Sequence, residues 1–364
     1  MVWQSPVPGR GHGSPTIVGQ HIFLATADED KGSQSVLCYD RANGKQLWQT
    51  EVFASGLMKK GNRRSSQASA TVACDGERLF VNFLNSGAVY TTALSRKGTQ
   101  LWQTKITDYV VHQGFGSSPA IYGPLVVASA DNKGGGALVG MNRETGEIVW
   151  QHKRPKTANY ASPIILPIAG RDQLLLMGCN RVSSFDPLTG NSIWEIDGAT
   201  TECVSSMVTD GQRIFISGGY PKKHVAALRA DGSGKIDWEK KDPLYVPSML
   251  IKDGYLYVAT ERGEAVCWHA ATGKEQWRQK LGGVFSASVV LVGKHILAIN
   301  EKGRVFIFEA NPQTYVPVAE TQLGDEAFAT PTVCNSRIFA RVAHRQDGQR
   351  QETLYCIGEE PSKP

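Results

Sequence analysis

The string GMNRETGEIVW (140–150) recurs along the chain as CYDRANGKQLW (38–48), SFDPLTGNSIW (184–194) and CWHAATGKEQW (267–277). Looser copies are ALSRKGTQLW (93–102) and ALRADGSGKIDW (227–238). Tryptophans at 3, 48, 102, 150, 194, 238 and 277 set the period, with steps of 45, 54, 48, 44, 44 and 39 residues. A repeat in the forties made of short strands is the signature of propeller blades. Each copy reads as a hairpin: Gly supplies the positive φ of the turn, apolar residues flank it, and the Trp closes the last strand. A Trp there can pack its large apolar surface between neighbouring sheets.

A second motif lies between the copies. It is a small residue or Ser-Pro, an apolar strand, a Gly/Asp turn and another apolar strand. It begins at 13, 68, 116, 161, 205, 247, 286 and 329, which gives eight inner hairpins. Pro is tolerated at the start of a strand, where its missing N–H is not needed by the ladder, and small residues suit eight sheets crowding round an axis. Inner plus outer hairpin makes a four-stranded antiparallel blade. The approximate blades are 14–50, 67–104, 116–152, 161–197, 205–240, 247–280, 286–322 and 329–358. The last needs a fourth strand from residues 1–4, Met1-Val2-Trp3-Gln4. The expectation is therefore an all-β, eight-bladed propeller, one domain over 1–364, with seven blades as the alternative. Pairing of its terminal strands leaves no open edge.

The D-x-x-T-G-x-x-x-W pattern behind an S-P strand resembles the PQQ-type eight-bladed propeller family. That family includes quinoprotein alcohol dehydrogenases and outer-membrane assembly lipoproteins of the BamB type. The opening PVPGRGHGSPTIVGQHIFLATA (6–27) is similar to the start of PQQ-like proteins of planctomycetes. The resemblance spans nearly the whole chain and implies the fold more sharply than the function. It implies a bacterial, exported, periplasmic protein whose export signal lies outside this sequence, a cytoplasmic location being the alternative.

Composition narrows the partners. Lys+Arg 39 against Asp+Glu 34 leaves a net charge of +5, spread thinly apart from Lys59-Lys60, Arg63-Arg64 and Lys222-Lys223. Nucleic-acid binding needs a concentrated basic stripe, and no apolar run reaches the length of a membrane span. The seven cysteines include no C-x-x-C and no zinc spacing. Cys38, Cys267 and Cys356 share one third-strand position and read as small buried hydrophobes.

Strand order places the T-G turns and inner-hairpin turns on one face. The irregular loops between second and third strands share the other face with the links between blades, and binding groups concentrate on such loops. The residues just before each inner strand should ring the channel mouth there: Arg10, His12, Arg63, Arg64, His112, Gln113, Phe115, Asn159, Tyr160, Glu202, Tyr245, Phe285, Glu326 and Phe328. Aromatic, basic and amide groups together suit a polar ligand. Asp28, Glu29, Asp30 and Asp131 lie on loops of this face and read as solvated rather than as a calcium site, because calcium needs six to eight converging oxygens. Gly134-Gly135-Gly136 has no following Lys-Ser/Thr or helix, and reads as a turn rather than a phosphate cradle.

Three functions follow. The preferred one is a monomeric, non-catalytic scaffold that binds a protein or a small polar ligand on the loop face, with no cofactor and no metal. The alternative implied by the resemblance is a quinoprotein dehydrogenase of alcohols or sugars, with PQQ and calcium in the channel. The chain has neither the adjacent Cys pair nor the channel Trp that this resemblance would call for. A hydrolase or lyase with His12 or His112 as acid/base ranks third, with no catalytic set readable.

Overall fold

The computed structural model describes residues 1–59, 61–62 and 64–358. It contains eight four-stranded antiparallel sheets. Seven are formed by consecutive strands, such as Ala120–Tyr122, Leu125–Ser129, Gly136–Asn142 and Ile148–Arg154 in blade three. The eighth joins Thr332–Cys334, Arg337–Gln346 and Gln349–Ile357 to the N-terminal strand Trp3–Val7. This is the expected eight-bladed propeller closed by its termini. The closing strand runs further than residues 1–4, pairing from Trp3↔Cys356 to Val7↔Glu352. Pro6 fits because the strand is an outer edge, where no ladder N–H is required of it.

The repeated motif has a defined mechanical role. Asn142 Oδ1 accepts from the N–H groups of Glu144 and Thr145 (2.8 and 3.2 Å) and fixes the turn. Asp40 and Asp186 do the same in their blades. Gly146, at φ +76°, then presents its bare Cα to the preceding blade: a Cβ built there would lie 2.6 Å from Cδ2 and Cε3 of Trp102. Trp102 Nε1–H donates to Arg143 O (3.1 Å), and Thr104 Oγ1–H donates to Gly146 O (2.7 Å). The same Trp-on-Gly docking joins Trp3 to Gly44, Trp48 to Gly98, Trp150 to Gly190, Trp194 to Gly232 and Trp238 to Gly273. Blade seven has no such Gly, and Trp277 packs on Tyr315 instead.

Around the axis the Ser-Pro motif forms a second girdle. The backbone N–H of Ser14 donates to the Thr71 hydroxyl, that of Thr71 to Ser118, and that of Ser118 to Ser162. Ser206 to Ser248, Ser248 to Ser288 and Ser288 to Thr330 continue the series, at 2.8 to 3.0 Å. In six of the eight blades the N–H two residues before the inner strand thus finds a hydroxyl on the next blade, as half-buried backbone groups must.

Buried polar staples add to the two girdles. Arg154 Nε–H donates to Asp131 Oδ1 (2.9 Å) with both side chains almost fully buried, and Asn159 Nδ2–H donates to the same carboxylate. Asp131 is therefore a tie between blades three and four, not the solvated loop residue expected. Asp28 caps its own turn through the N–H groups of Asp30 and Lys31. Arg341 and Glu352 form a fully buried ion pair whose arginine also donates to Ala25 O (2.7 Å), joining blade eight to blade one. AHRQDGQRQE (343–352) prolongs both flanking strands to a two-residue turn at Asp347-Gly348, with φ +51° and +76°. That is the primed turn geometry an Asp-Gly pair favours. The seven cysteines are free thiols, five buried and two half-buried.

Candidate functional site

The channel opens on the loop face into a cavity of about 650 Å³. Its floor takes one residue from each blade: His12, Ser69, Gly116, Tyr160, Val204, Val246, Ser286 and Phe328. Each lies two positions before a member of the hydroxyl girdle, so strand alternation points both layers at the axis. Interblade links and turns between second and third strands build the walls, including Asn62, Arg64, Gln113, Phe115, Glu202, Tyr220, Tyr245, Glu261 and Glu301.

Eight of the residues named from sequence are brought together here: His12, Arg64, Gln113, Phe115, Tyr160, Glu202, Tyr245 and Phe328. His112 stands behind the wall. Its Nδ1 accepts from Lys133 Nζ (3.1 Å), which leaves Nε2–H directed at Glu202 Oε1 (3.2 Å). Arg10 is not on the lining; its backbone bridges Ala27, and its guanidinium lies in the field of Arg350, Glu29 and Glu326. Glu326 is bound by Arg345 and Arg350, and Asn159 belongs to the buried staple. Arg63 lies outside the described residues. Phe285 is a correction. It is fully buried and packs on Phe306, while its neighbours Val284 and Ser286 face the channel.

Two acidic wall residues escaped the sequence reading, Glu261 and Glu301. They occupy equivalent turns, T-E-R-G and N-E-K-G, between second and third strands of blades six and seven. Glu301 accepts from the Ser286 hydroxyl (2.6 Å) and pairs with Arg64. Glu202, nearly fully buried, accepts from the Tyr245 hydroxyl (2.9 Å). Glu261 accepts the Val246 N–H (3.1 Å), and no ion pair reaches it among the described residues. Burial raises its carboxyl above the ordinary range and the nearby Glu301 adds to this, while backbone N–H groups and Arg64 oppose it. Burial, reinforced by Glu202, also raises the Tyr245 and Tyr160 phenols, which therefore stay protonated donors at neutral pH.

Aromatic rings complete the cavity. His12 stacks on Phe328 with ring centroids 4.3 Å apart, and Phe115 meets Tyr109 edge-on at 5.7 Å. Tyr220, 57% exposed, stands at the rim.

A flat, multiply anionic quinone such as PQQ does not fit this lining. Three carboxylates face the cavity, the one described guanidinium is already paired with Glu301, and no Trp is present to stack on the ring. Calcium fares no better, since no cluster of three or more His, Cys, Asp or Glu suited to a metal occurs among the described residues.

Eight blades, the Trp-on-Gly docking and the hydroxyl girdle define a propeller of the PQQ-like repeat class. The chain belongs to the family described as outer membrane protein assembly factor BamB, whose model matches residues 32–279 and 221–314. It is 26% identical over 370 residues to the BamB of Burkholderia pseudomallei (strain K96243), covering 96% of this chain and 86% of that protein. It is 23% identical over 353 residues to the tetrathionate hydrolase of Acidithiobacillus ferrooxidans, where the match covers 82% of this chain and 65% of that protein. Among solved structures, BamB from Moraxella catarrhalis superposes with a TM-score of 0.67 at 16% identity, over 96% of this chain and 95% of the other. The quinohemoprotein alcohol dehydrogenase of Comamonas testosteroni superposes with 0.72 at 12% identity, over 100% of this chain and 77% of the other. At such identities these likenesses establish the fold alone.

Proposed function

We propose that this chain is an exported, monomeric, non-catalytic scaffold that holds a protein partner or a small polar ligand on its loop face, at the channel mouth. The observation that carries this reading is how the ionisable groups of the mouth are tied to the frame. Glu202 is held by Tyr245 and His112, and Glu301 by Ser286 and Arg64. Both carboxylates are engaged by side chains of the frame, whereas a general base needs a lone pair within reach of its substrate's proton. Relatives named for outer membrane protein assembly support a partner-binding role. The dehydrogenase alternative rests on fold likeness alone, and the lining opposes its cofactor.

The test is site-specific photocrosslinking with the cross-linker at Tyr220 on the loop face or at Thr145 on the opposite face. The expected result is a discrete protein or ligand adduct from position 220 and none from 145. Equal labelling of both faces, or saturable one-to-one binding of PQQ with calcium by calorimetry and absorbance, overturns the reading.

A further inference from the structure

We infer that the channel mouth is a receptor for a cationic group, an ammonium or guanidinium at the end of an aliphatic or peptide stem. This rests on the scaffold reading and deepens it. The chain as a whole is positive, at +5, so carboxylates gathered at one cavity are a local feature rather than the molecule's general field. Among the described lining residues three carboxylates stand against one guanidinium. The guanidinium, Arg64, is spent on Glu301. Glu261 faces the same space, held by backbone N–H groups and by no ion pair among the described residues, with Arg64 and Glu301 in its field.

The rest of the cavity suits the same ligand. Tyr220, Tyr245 and Phe115 put rings on the walls, and Tyr160, Val204 and Val246 give apolar surface on the floor. A cation leaving water recovers its solvation from carboxylate oxygens through charge-assisted hydrogen bonds and from aromatic faces. An aliphatic stem meets the apolar floor. An anion is repelled by Glu261 and Glu202, and the one described guanidinium is already paired with Glu301. The volume of about 650 Å³ lies within the range of small-molecule pockets. The group could therefore come from a free diamine or from a Lys or Arg side chain of a bound polypeptide. The chemistry is shared, and the assay separates the sources.

The experiment is calorimetric titration of the full chain with agmatine, with acetyl-Gly-Arg-Gly-amide and with acetyl-Gly-Glu-Gly-amide. The expected result is saturable binding of the cationic probes that weakens as salt rises, with none for the acidic peptide. Glu261→Gln, checked for an intact melting transition, should loosen the cationic probes at least about tenfold, the worth of one charge-assisted contact. Tighter binding of the peptide than of agmatine assigns the group to a polypeptide, and the reverse assigns it to a free amine. Equal binding of the acidic peptide, or no saturable heat from either cation at millimolar concentration, overturns the inference. If the cations fail while loop-face crosslinking at 220 succeeds, the scaffold reading stands and this one falls. If both fail, both fall.

Discussion

Gly146→Ala tests the docking of blade on blade. The new Cβ would sit 2.6 Å from two atoms of the Trp102 indole and 2.8 Å from Thr104 Oγ1, on a residue at φ +76°. The left-handed conformation alone costs an L-residue about 1–2 kcal/mol. Forcing a methyl into a packed ring adds about 1–3 kcal/mol, so the expected loss is about 2–5 kcal/mol. Gly170→Ala is the control: its φ is +80°, and nothing lies within 4 Å of the added Cβ, so only the conformational part, about 1–2 kcal/mol, applies. An entropy of unfolding near 2.1 cal/mol/K per residue, over 364 residues, gives about 0.76 kcal/mol/K. The excess of Gly146→Ala over its control is then only about 1–4 °C in Tm. Urea unfolding is the better assay, because it reads the free energy directly. In a Trp102→Ala background the excess should vanish, since the obstructing ring is gone, and the double-mutant cycle isolates that term. Equal losses at Gly146 and Gly170, or an excess that survives removal of Trp102, would refute the docking argument.

Deleting Met1–Val7 removes the fourth strand of blade eight, the Trp3 indole bond to Arg41 O (3.1 Å) and the buried Val7. The loss should reach at least about 5 kcal/mol from two large apolar side chains and their ladder, and an unchanged urea midpoint would contradict closure by the termini. Glu261→Gln should melt above the parent at pH 7. Burial raises the folded carboxyl above its ordinary 4.5, so ionisation weakens the fold above the raised value. That penalty, and with it the gap between variant and parent, should disappear as pH falls through the raised value toward 4.5; paired melts from pH 7 down to pH 4 check the sign.

Most of the fold was legible because the docking contact repeats in sequence. Trp and turn Gly recur together, and the indole of one blade meets the Gly of the next. The hydroxyl girdle was visible only as a preference for small residues, since each Ser or Thr serves an N–H some forty residues away. Strand alternation explains the misplacement of Phe285: a one-residue shift in register turns a side chain from channel to core, and Val284 and Ser286 hold the channel positions. Glu261 and Glu301 were passed over because each, taken alone, is one acidic residue in a tight turn. Only the packing of blade six on blade seven sets them near one another, on a lining that also takes Glu202. Asp131 failed for the opposite reason. Its partner Arg154 is 23 residues away on the outer strand of the same blade, and no local pattern announces the pair.

The contrast between Glu261 and the other buried ionic groups carries the functional argument furthest. Arg341 with Glu352 and Arg154 with Asp131 are each tied further, to Ala25 O of blade one and to Asn159 of the link into blade four. Buried ion pairs of that kind add little net stability but fix geometry. A ring held by two girdles and such staples cannot shift a blade to bring a counter-charge to Glu261, and the side chain keeps a raised pKa that a Gln would not have. A ligand cation arriving at the mouth supplies what the frame withholds, and it does so without ordering any loop beforehand. The rigidity that leaves Glu261 unfavourable in the empty channel is thus the same property that would make its contact with a cation specific, because backbone N–H groups and no ion pair hold the carboxylate among the described residues.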